Sequence, residues 1–146
     1  MEKLISLLLI FIFTSCKTFY IPIDSFKQQL SGMDSSNLKR VEVRGPNLMT
    51  LYDEYLANPI VRIYCVDKNN NPAELDNGPA IQIRFTYGPN NRRTVFYFDR
   101  IFVTESVVVG VQSRYFPDIR KRIPLNTITK IEIQEGKKGY HYIERK

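Results

Sequence analysis

The chain has few of the side chains that most often bind metals or perform nucleophilic catalysis. Among its 146 residues there are one histidine, His141, and two cysteines, Cys16 and Cys65. These residues lack the paired spacing of a four-ligand zinc site. No serine or cysteine nucleophile signature accompanies His141, and the seven glycines form no phosphate-binding loop. We therefore predict no metal site, no cofactor and no catalytic residue, and we expect His141 to be an exposed strand residue.

The first sixteen residues have the three parts of an export signal. A short charged start, Met1-Glu2-Lys3, is followed by an apolar run over residues 4–13 and by the small residues Thr14 and Ser15. About ten apolar residues are too few to span a bilayer, so the run is typical of a removable signal. The junction Phe13-Thr14-Ser15-Cys16 resembles the lipobox of bacterial lipoproteins.

This resemblance implies that a signal peptidase cuts before Cys16 after its sulfur has received diacylglycerol. The mature protein is then expected to carry acyl chains such as palmitate on Cys16. Two or more chains hold a protein stably on a membrane, whereas a single chain does not. Lys17 follows the anchor in place of Asp, which resembles outer-membrane sorting. Two alternatives remain: an ordinary signal peptide with a chance cysteine at the cut site, and a buried N-terminal hydrophobic strand.

Removal of a signal over residues 1–15 leaves a chain with the length of one domain. We expect residues 16–37 to be the lipidated N-terminus and a tether, and residues 38–146 to be a single β-rich domain. Lipidation of Cys16 would leave Cys65 without an intramolecular disulfide partner. The apolar neighbours of Cys65 predict a small buried hydrophobic side chain and not a reactive thiol.

Two segments have helical signals. In the tether, apolar residues at 23, 26 and 30 predict a turn or two of helix. The clearer signal predicts an amphipathic helix over about 47–57, capped by Asn47 and stopped by Asn58-Pro59. Its apolar residues recur at helical spacing, and they are Leu48, Leu51, Tyr52, Tyr55 and Leu56.

The remaining sequence predicts strands joined by tight turns. Strands are expected at 39–44, 60–66, 81–87, 94–98, 101–103, 107–111, 120–123, 131–133 and 140–143. The turn Gly88-Pro89-Asn90-Asn91 predicts a hairpin, and Gly110 indicates a bulge or a close contact. We therefore predict an α+β fold, mainly β. An antiparallel meander would form a curled sheet or small barrel, with the helix at about 47–57 packed on it.

Basic residues lie beside aromatic residues in two parts of the chain, at 92–98 and at 114–122, and the formal net charge of the chain is +6. The basic candidates for ligand binding are Arg92, Arg93, Arg114, Arg120, Lys121 and Arg122. Guanidinium groups bind phosphate or carboxylate, and aromatic neighbours can hold a sugar or a lipid. The patch is therefore expected to suit an anionic envelope polymer or a lipid headgroup. Alternatively, the charges only keep strand edges soluble. The export signal argues against nucleic acid.

These observations predict a small non-enzymatic protein, lipid-anchored to the cell envelope, that serves as a binding or assembly module. Its partners would be the membrane, through Cys16, and an anionic polymer or another envelope protein. One alternative is a cell-wall or glycan hydrolase that uses paired carboxylates among Asp67, Asp99 and Glu105. Another is a structural subunit of an envelope complex, which an exposed apolar patch would favour.

Overall fold

The computed structural model describes residues 17–47, 53–136 and 139–144. The predicted signal, Cys16 and part of the predicted helix lie outside these residues. The described chain forms twelve strands and one α-helix. In order they are β1 (Thr18–Tyr20), α1 (Ile23–Gln29), β2 (Lys39–Arg44), β3 (Asp53–Ala57), β4 (Arg62–Val66), β5 (Pro72–Asp76), β6 (Gln82–Tyr87), β7 (Arg92–Tyr97), β8 (Phe102–Thr104), β9 (Val107–Val111), β10 (Arg120–Pro124), β11 (Ile128–Gln134) and β12 (His141–Glu144). Single 3₁₀ turns occur at Ser35–Asn37, Phe98–Arg100 and Leu125–Thr127.

The strands form three antiparallel sheets. The largest has the order β5-β4-β1-β11-β6-β7, and two three-stranded sheets have the orders β10-β9-β8 and β12-β2-β3. The α+β, mainly β, class is confirmed, and the hairpin predicted around residues 88–91 is formed by β6 and β7. Within the described part of the chain none of the sheets closes into a barrel.

The helix predicted over about 47–57 is wrong for residues 53–57, which form β3 and pair with β2. Residues 48–52 lie outside the described residues. In β3, Tyr55 and Ala57 are buried while Glu54 and Leu56 are exposed, which is the period of a strand. The apolar residues of so short a segment fit either period. Pairing with β2 and burial of the Tyr55 ring stabilise the strand.

The tether predicted over residues 16–37 is too long, because the domain already includes β1. This strand pairs with β11 on one side and with β4 on the other. The turn or two of helix expected at 23–30 is confirmed as α1. Phe26 of α1 and Leu30 just after it are buried in the main core, so α1 packs on the six-stranded sheet.

The main core lies between the six-stranded sheet, α1 and the sheet β10-β9-β8. The ring centroids of Phe26 and Phe85 are 5.4 Å apart, and those of Phe85 and Phe96 are 5.8 Å apart. Cys65 is buried in this core, as expected for a small hydrophobic side chain. Burial raises the pKa of its thiol to about 11, with a smaller contribution from the charge of Glu135.

Gly110 lies where β9 crosses the Phe96 ring of β7, so it joins two sheets at a close contact. A Cβ atom at Gly110 would lie 2.5 Å from Cγ of Phe96. This distance is far below van der Waals contact, and a fully buried ring in a packed core has little room to move away. The close contact expected at this glycine is therefore confirmed.

We expect Gly110→Ala to lower the free energy of unfolding by about 1–3 kcal/mol, because the added methyl group overpacks this joint. Gly78→Ala is the matched control, since a Cβ atom at Gly78 would meet nothing within 4 Å. Urea unfolding of the two variants and the wild type measures the difference. Equal effects of the two substitutions would contradict the contact.

Candidate functional site

A groove of about 270 Å³ lies between the sheets β12-β2-β3 and β10-β9-β8. Three arginines line it: Arg40 from β2, Arg100 from the 3₁₀ turn after β7, and Arg120 from β10. The lining also contains two carboxylates, Glu54 and Asp118. Apolar side chains complete the walls, among them Leu38, Leu56, Phe102, Val111 and Pro117. The groove therefore combines a small excess of positive charge with an apolar surface.

The two outer arginines of the groove are held differently. Nη1 of Arg40 donates a hydrogen bond to Oε1 of Glu54 at 2.6 Å, across β2 and β3. Both side chains are exposed, so this pair adds little to stability and can exchange for another anion. The guanidinium carbon of Arg120 lies 5.6 Å from the centroid of the Phe102 ring. An aromatic support of this kind leaves the edge of the guanidinium open to an anion.

Below the groove, two arginines alternate with three tyrosine rings. We call Tyr55, Arg100, Tyr97, Arg114 and Tyr140 the arginine–tyrosine stack. Along it, the guanidinium carbon of Arg100 is 3.5 Å from the Tyr55 ring centroid and 5.6 Å from that of Tyr97. The guanidinium carbon of Arg114 is 4.3 Å from the Tyr97 ring and 4.0 Å from the Tyr140 ring. Such cation–π contacts strengthen when they are removed from water, as Arg100 is here.

The stack is fixed by Asp99, whose side chain is fully buried. Its Oδ2 atom accepts hydrogen bonds from the hydroxyl groups of Tyr55 and, at 2.9 Å, of Tyr142. Burial raises the pKa of Asp99, and the two tyrosine hydrogen bonds and the charges of Arg100 and Arg114 only partly oppose this effect. Burial and the neighbouring carboxyl group also raise the pKa of Tyr55.

Asn58 holds the backbone of the turn that carries Asp99 and Arg100. Its Nδ2 atom donates to the carbonyl oxygens of Phe98 and Ile101, at 2.6 and 3.1 Å. Its backbone N–H donates to the carbonyl oxygen of Asp99 at 2.7 Å. Because Asn58 directly follows β3, these bonds set the position of Arg100 relative to the groove wall formed by β2 and β3.

The raised pKa of Asp99 predicts a pH-dependent effect of Asp99→Asn. Above the ordinary value of 3.8, the unfolded wild-type chain releases this proton while the native protein still holds it. The wild type therefore loses stability as pH rises through this window, whereas the variant has no proton to lose. Urea unfolding at about pH 4 and about pH 7 measures this effect. The free energy of unfolding of the variant, compared with that of the wild type, should be higher at about pH 7 than at about pH 4.

Asp67→Asn serves as the control, because the pKa of Asp67 is shifted in the opposite direction to that of Asp99. Backbone and side-chain hydrogen bonds from Asn71 lower the pKa of the exposed Asp67. The wild type should therefore gain stability relative to this variant as pH rises through the range below 3.8, with only a small further gain between about pH 4 and about pH 7. Parallel pH profiles for the wild type and Asp99→Asn would contradict the raised pKa.

The structure separates the basic residues that the sequence groups together. Arg120 lines the groove, and Arg114 lies in the arginine–tyrosine stack. Lys121 points to the other face of β10, where its Nζ donates to Oγ1 of Thr94 at 2.9 Å. Arg92 and Arg93 are exposed at the start of β7, and Arg122 is exposed on β10. The predicted ligand-binding residues therefore do not form one continuous surface.

Two arginines of the groove, Arg40 and Arg100, are not among the residues that the sequence predicts. Arg40 occupies an ordinary exposed position of an alternating strand, so the sequence contains no signal for it. Arg100 does have a signal, because Asp99 and Arg100 interrupt an apolar stretch. Adjacent opposite charges in such a stretch indicate a buried, paired site.

The carboxylates of the hydrolase alternative have separate surroundings. Asp67 holds its own loop, where its Oδ1 accepts from the backbone N–H groups of Asn69 and Asn71 at 2.7 and 2.9 Å. Glu105 is exposed in the turn between β8 and β9. Asp99 is fully buried beneath the groove. The Asp99 side chain is therefore inaccessible to solvent, and the Asp67 carboxylate accepts hydrogen bonds within its own loop.

His141 is an exposed residue of β12, as expected. Within residues 17–47, 53–136 and 139–144, no helix is long and apolar enough to cross a bilayer. The same residues contain no group of three or more His, Cys, Asp or Glu side chains that could hold a metal ion. The chain matches no protein-family model, no curated protein and no solved structure.

Proposed function

We propose that this protein is a small non-enzymatic lipoprotein of the bacterial envelope that binds an anionic polymer in the groove. Acyl chains on Cys16 would hold it on the outer membrane, as the lipobox-like junction indicates. The observation that carries the binding proposal is the placement of Arg40, Arg100 and Arg120 beside apolar side chains in one groove. A charged polymer with sugar faces offers both anionic groups and apolar surface to such a site.

The three arginines would have different roles in binding. Arg100 is almost completely buried at the base of the groove, and its position is set by the Tyr55 ring and by the turn that Asn58 holds. It supplies a fixed positive charge with little loss of conformational entropy. Arg40 and Arg120 lie at the exposed sides, where an incoming phosphate or carboxylate can replace Glu54 as the partner of Arg40. Preorganised cations of this kind favour binding because few side chains must become ordered.

Assembly with another envelope component is a second candidate, because Tyr115, Phe116 and Ile119 are exposed together in the loop between β9 and β10. The hydrolase alternative has less support. A pair of carboxylates working on one sugar must both reach the substrate, and the Asp99 side chain has no exposed surface.

The anchor is tested by metabolic labelling with an alkyne analogue of palmitate in a bacterial host. The wild-type protein should take up label, and Cys16→Ala should not, because the acylated sulfur has been removed. Cys65→Ala should label like the wild type, since this thiol is buried in the core. Absence of label from the wild type would overturn the anchor.

Binding in the groove is tested by salt elution from a heparin column, which presents an anionic glycan. The double variant Arg40→Ser/Arg120→Ser should elute at clearly lower salt than the wild type, because it removes two of the three arginines that line the groove among the described residues. The matched control, Arg92→Ser/Arg93→Ser, removes the same charge from the exposed start of β7. It should shift elution less. Equal shifts would show that only net charge matters and would contradict a groove site.

A further inference from the structure

The loop between β9 and β10 presents three large apolar side chains to solvent. Tyr115, Phe116 and Ile119 have 87%, 61% and 67% of their surfaces exposed. Exposed apolar residues are ordinary when they are scattered, but three within five positions of one loop form a patch. This patch, which we call the apolar tip, lies directly before the basic run at the start of β10.

The apolar tip is held in a defined conformation. The backbone N–H of Tyr115 donates to Oγ of Ser113 at 3.2 Å, and that of Ile119 donates to the carbonyl oxygen of Phe116 at 3.2 Å. On the N-terminal side, the Arg114 guanidinium lies between two tyrosine rings of the stack. The exposure of these side chains is therefore a feature of an organised turn, with its two ends fixed to the domain.

Positive charge follows the apolar tip. Arg120 and Arg122 are both exposed and, being two residues apart in β10, lie on the same face of that strand. One carboxylate, Asp118, belongs to the same loop and lines the groove. Cations next to aromatic and aliphatic side chains match the two layers of an anionic bilayer surface, which are phosphate groups outside and acyl chains below.

We propose that the apolar tip inserts into the interface of an anionic lipid bilayer, with Arg120 and Arg122 against the lipid phosphates. This contact would be a second attachment of the domain and rests on the proposed envelope location. Acyl chains on Cys16 would keep the domain close to the membrane, so that even a weak loop contact would be occupied much of the time. The acyl chains would limit the distance between the domain and the membrane. The apolar tip would fix which face of the domain meets the bilayer.

The test uses tryptophan fluorescence, because the chain contains no tryptophan of its own. Phe116→Trp places the single reporter in the apolar tip. Tyr64→Trp is the matched control, since Tyr64 is an aromatic residue of β4 with 54% exposure. Each mature full-length protein is mixed with phosphatidylglycerol or phosphatidylcholine vesicles that contain brominated acyl chains. Far-UV circular dichroism checks that both variants remain folded.

With phosphatidylglycerol, emission at position 116 should move to shorter wavelength and fall by about twofold, as expected for an indole at the acyl boundary. Emission at position 64 should stay nearly unchanged. Adding Arg120→Ser/Arg122→Ser should reduce the fraction of emission at position 116 that is quenched at a fixed amount of phosphatidylglycerol, because two cations near the lipid phosphates are lost. Emission at position 116 that is not quenched, or is quenched no more than at position 64, would overturn the proposal. The apolar tip would then be free to contact a protein partner.

A response at position 116 that is equal in the two lipids would also overturn the proposal, because the arginines would then contribute nothing. Membrane attachment through the acyl chains is measured separately, by flotation of the wild-type protein with pure phosphatidylcholine vesicles. Protein that floats while position 116 remains unquenched has an anchor but no loop contact. Protein that fails to float, yet shows quenching at position 116 with phosphatidylglycerol, has the loop contact but no anchor.

Discussion

The carboxylate of Asp99 connects parts of the chain that are far apart in sequence. Asp99 lies in the turn after β7 of the six-stranded sheet, and it accepts hydrogen bonds from Tyr55 of β3 and Tyr142 of β12, the two outer strands of another sheet. Removing a carboxylate from water is costly unless hydrogen bonds and opposite charges compensate. The two hydroxyl groups and the charges of Arg100 and Arg114 supply part of that compensation, and the pKa of Asp99 stays above its ordinary value. The position of the sheet β12-β2-β3 relative to the six-stranded sheet therefore depends on a polar contact as well as on apolar packing.

Local sequence patterns predicted the parts of the fold that local contacts determine. The β6–β7 hairpin follows from its turn residues, and the short helix α1 follows from the spacing of its apolar residues. The errors occur where a distant partner decides the structure. Residues 53–57 become a strand by pairing with β2, and β1 joins the core by pairing with β11 near the other end of the chain. A helical period and a short apolar segment contain no information about such partners.

The candidate site could be predicted only in part for the same reason. Arg120 and Arg114 stand out in the sequence because they lie in a basic and aromatic segment, and both contribute to the site. Lys121 belongs to that segment too, but strand alternation turns it toward Thr94 on the other face. Arg40 reaches the groove only because the sheet β12-β2-β3 packs beside the sheet β10-β9-β8. Proximity in sequence was therefore a poor guide to which cations share a surface.

The buried charges and the exposed loop are parts of one arrangement. From Asp99, contacts run through Tyr55 to Arg100, then through Tyr97 to Arg114, which begins the exposed loop. A buried ionic network adds little net stability compared with apolar packing of the same volume. Its effect here is on position, since it places Arg100 at the base of the groove and fixes the loop whose residues Pro117 and Asp118 form a groove wall. A displaced stack would thus alter the groove and the apolar tip together, so the proposed ligand in the groove and the proposed membrane contact of the loop would influence each other's binding.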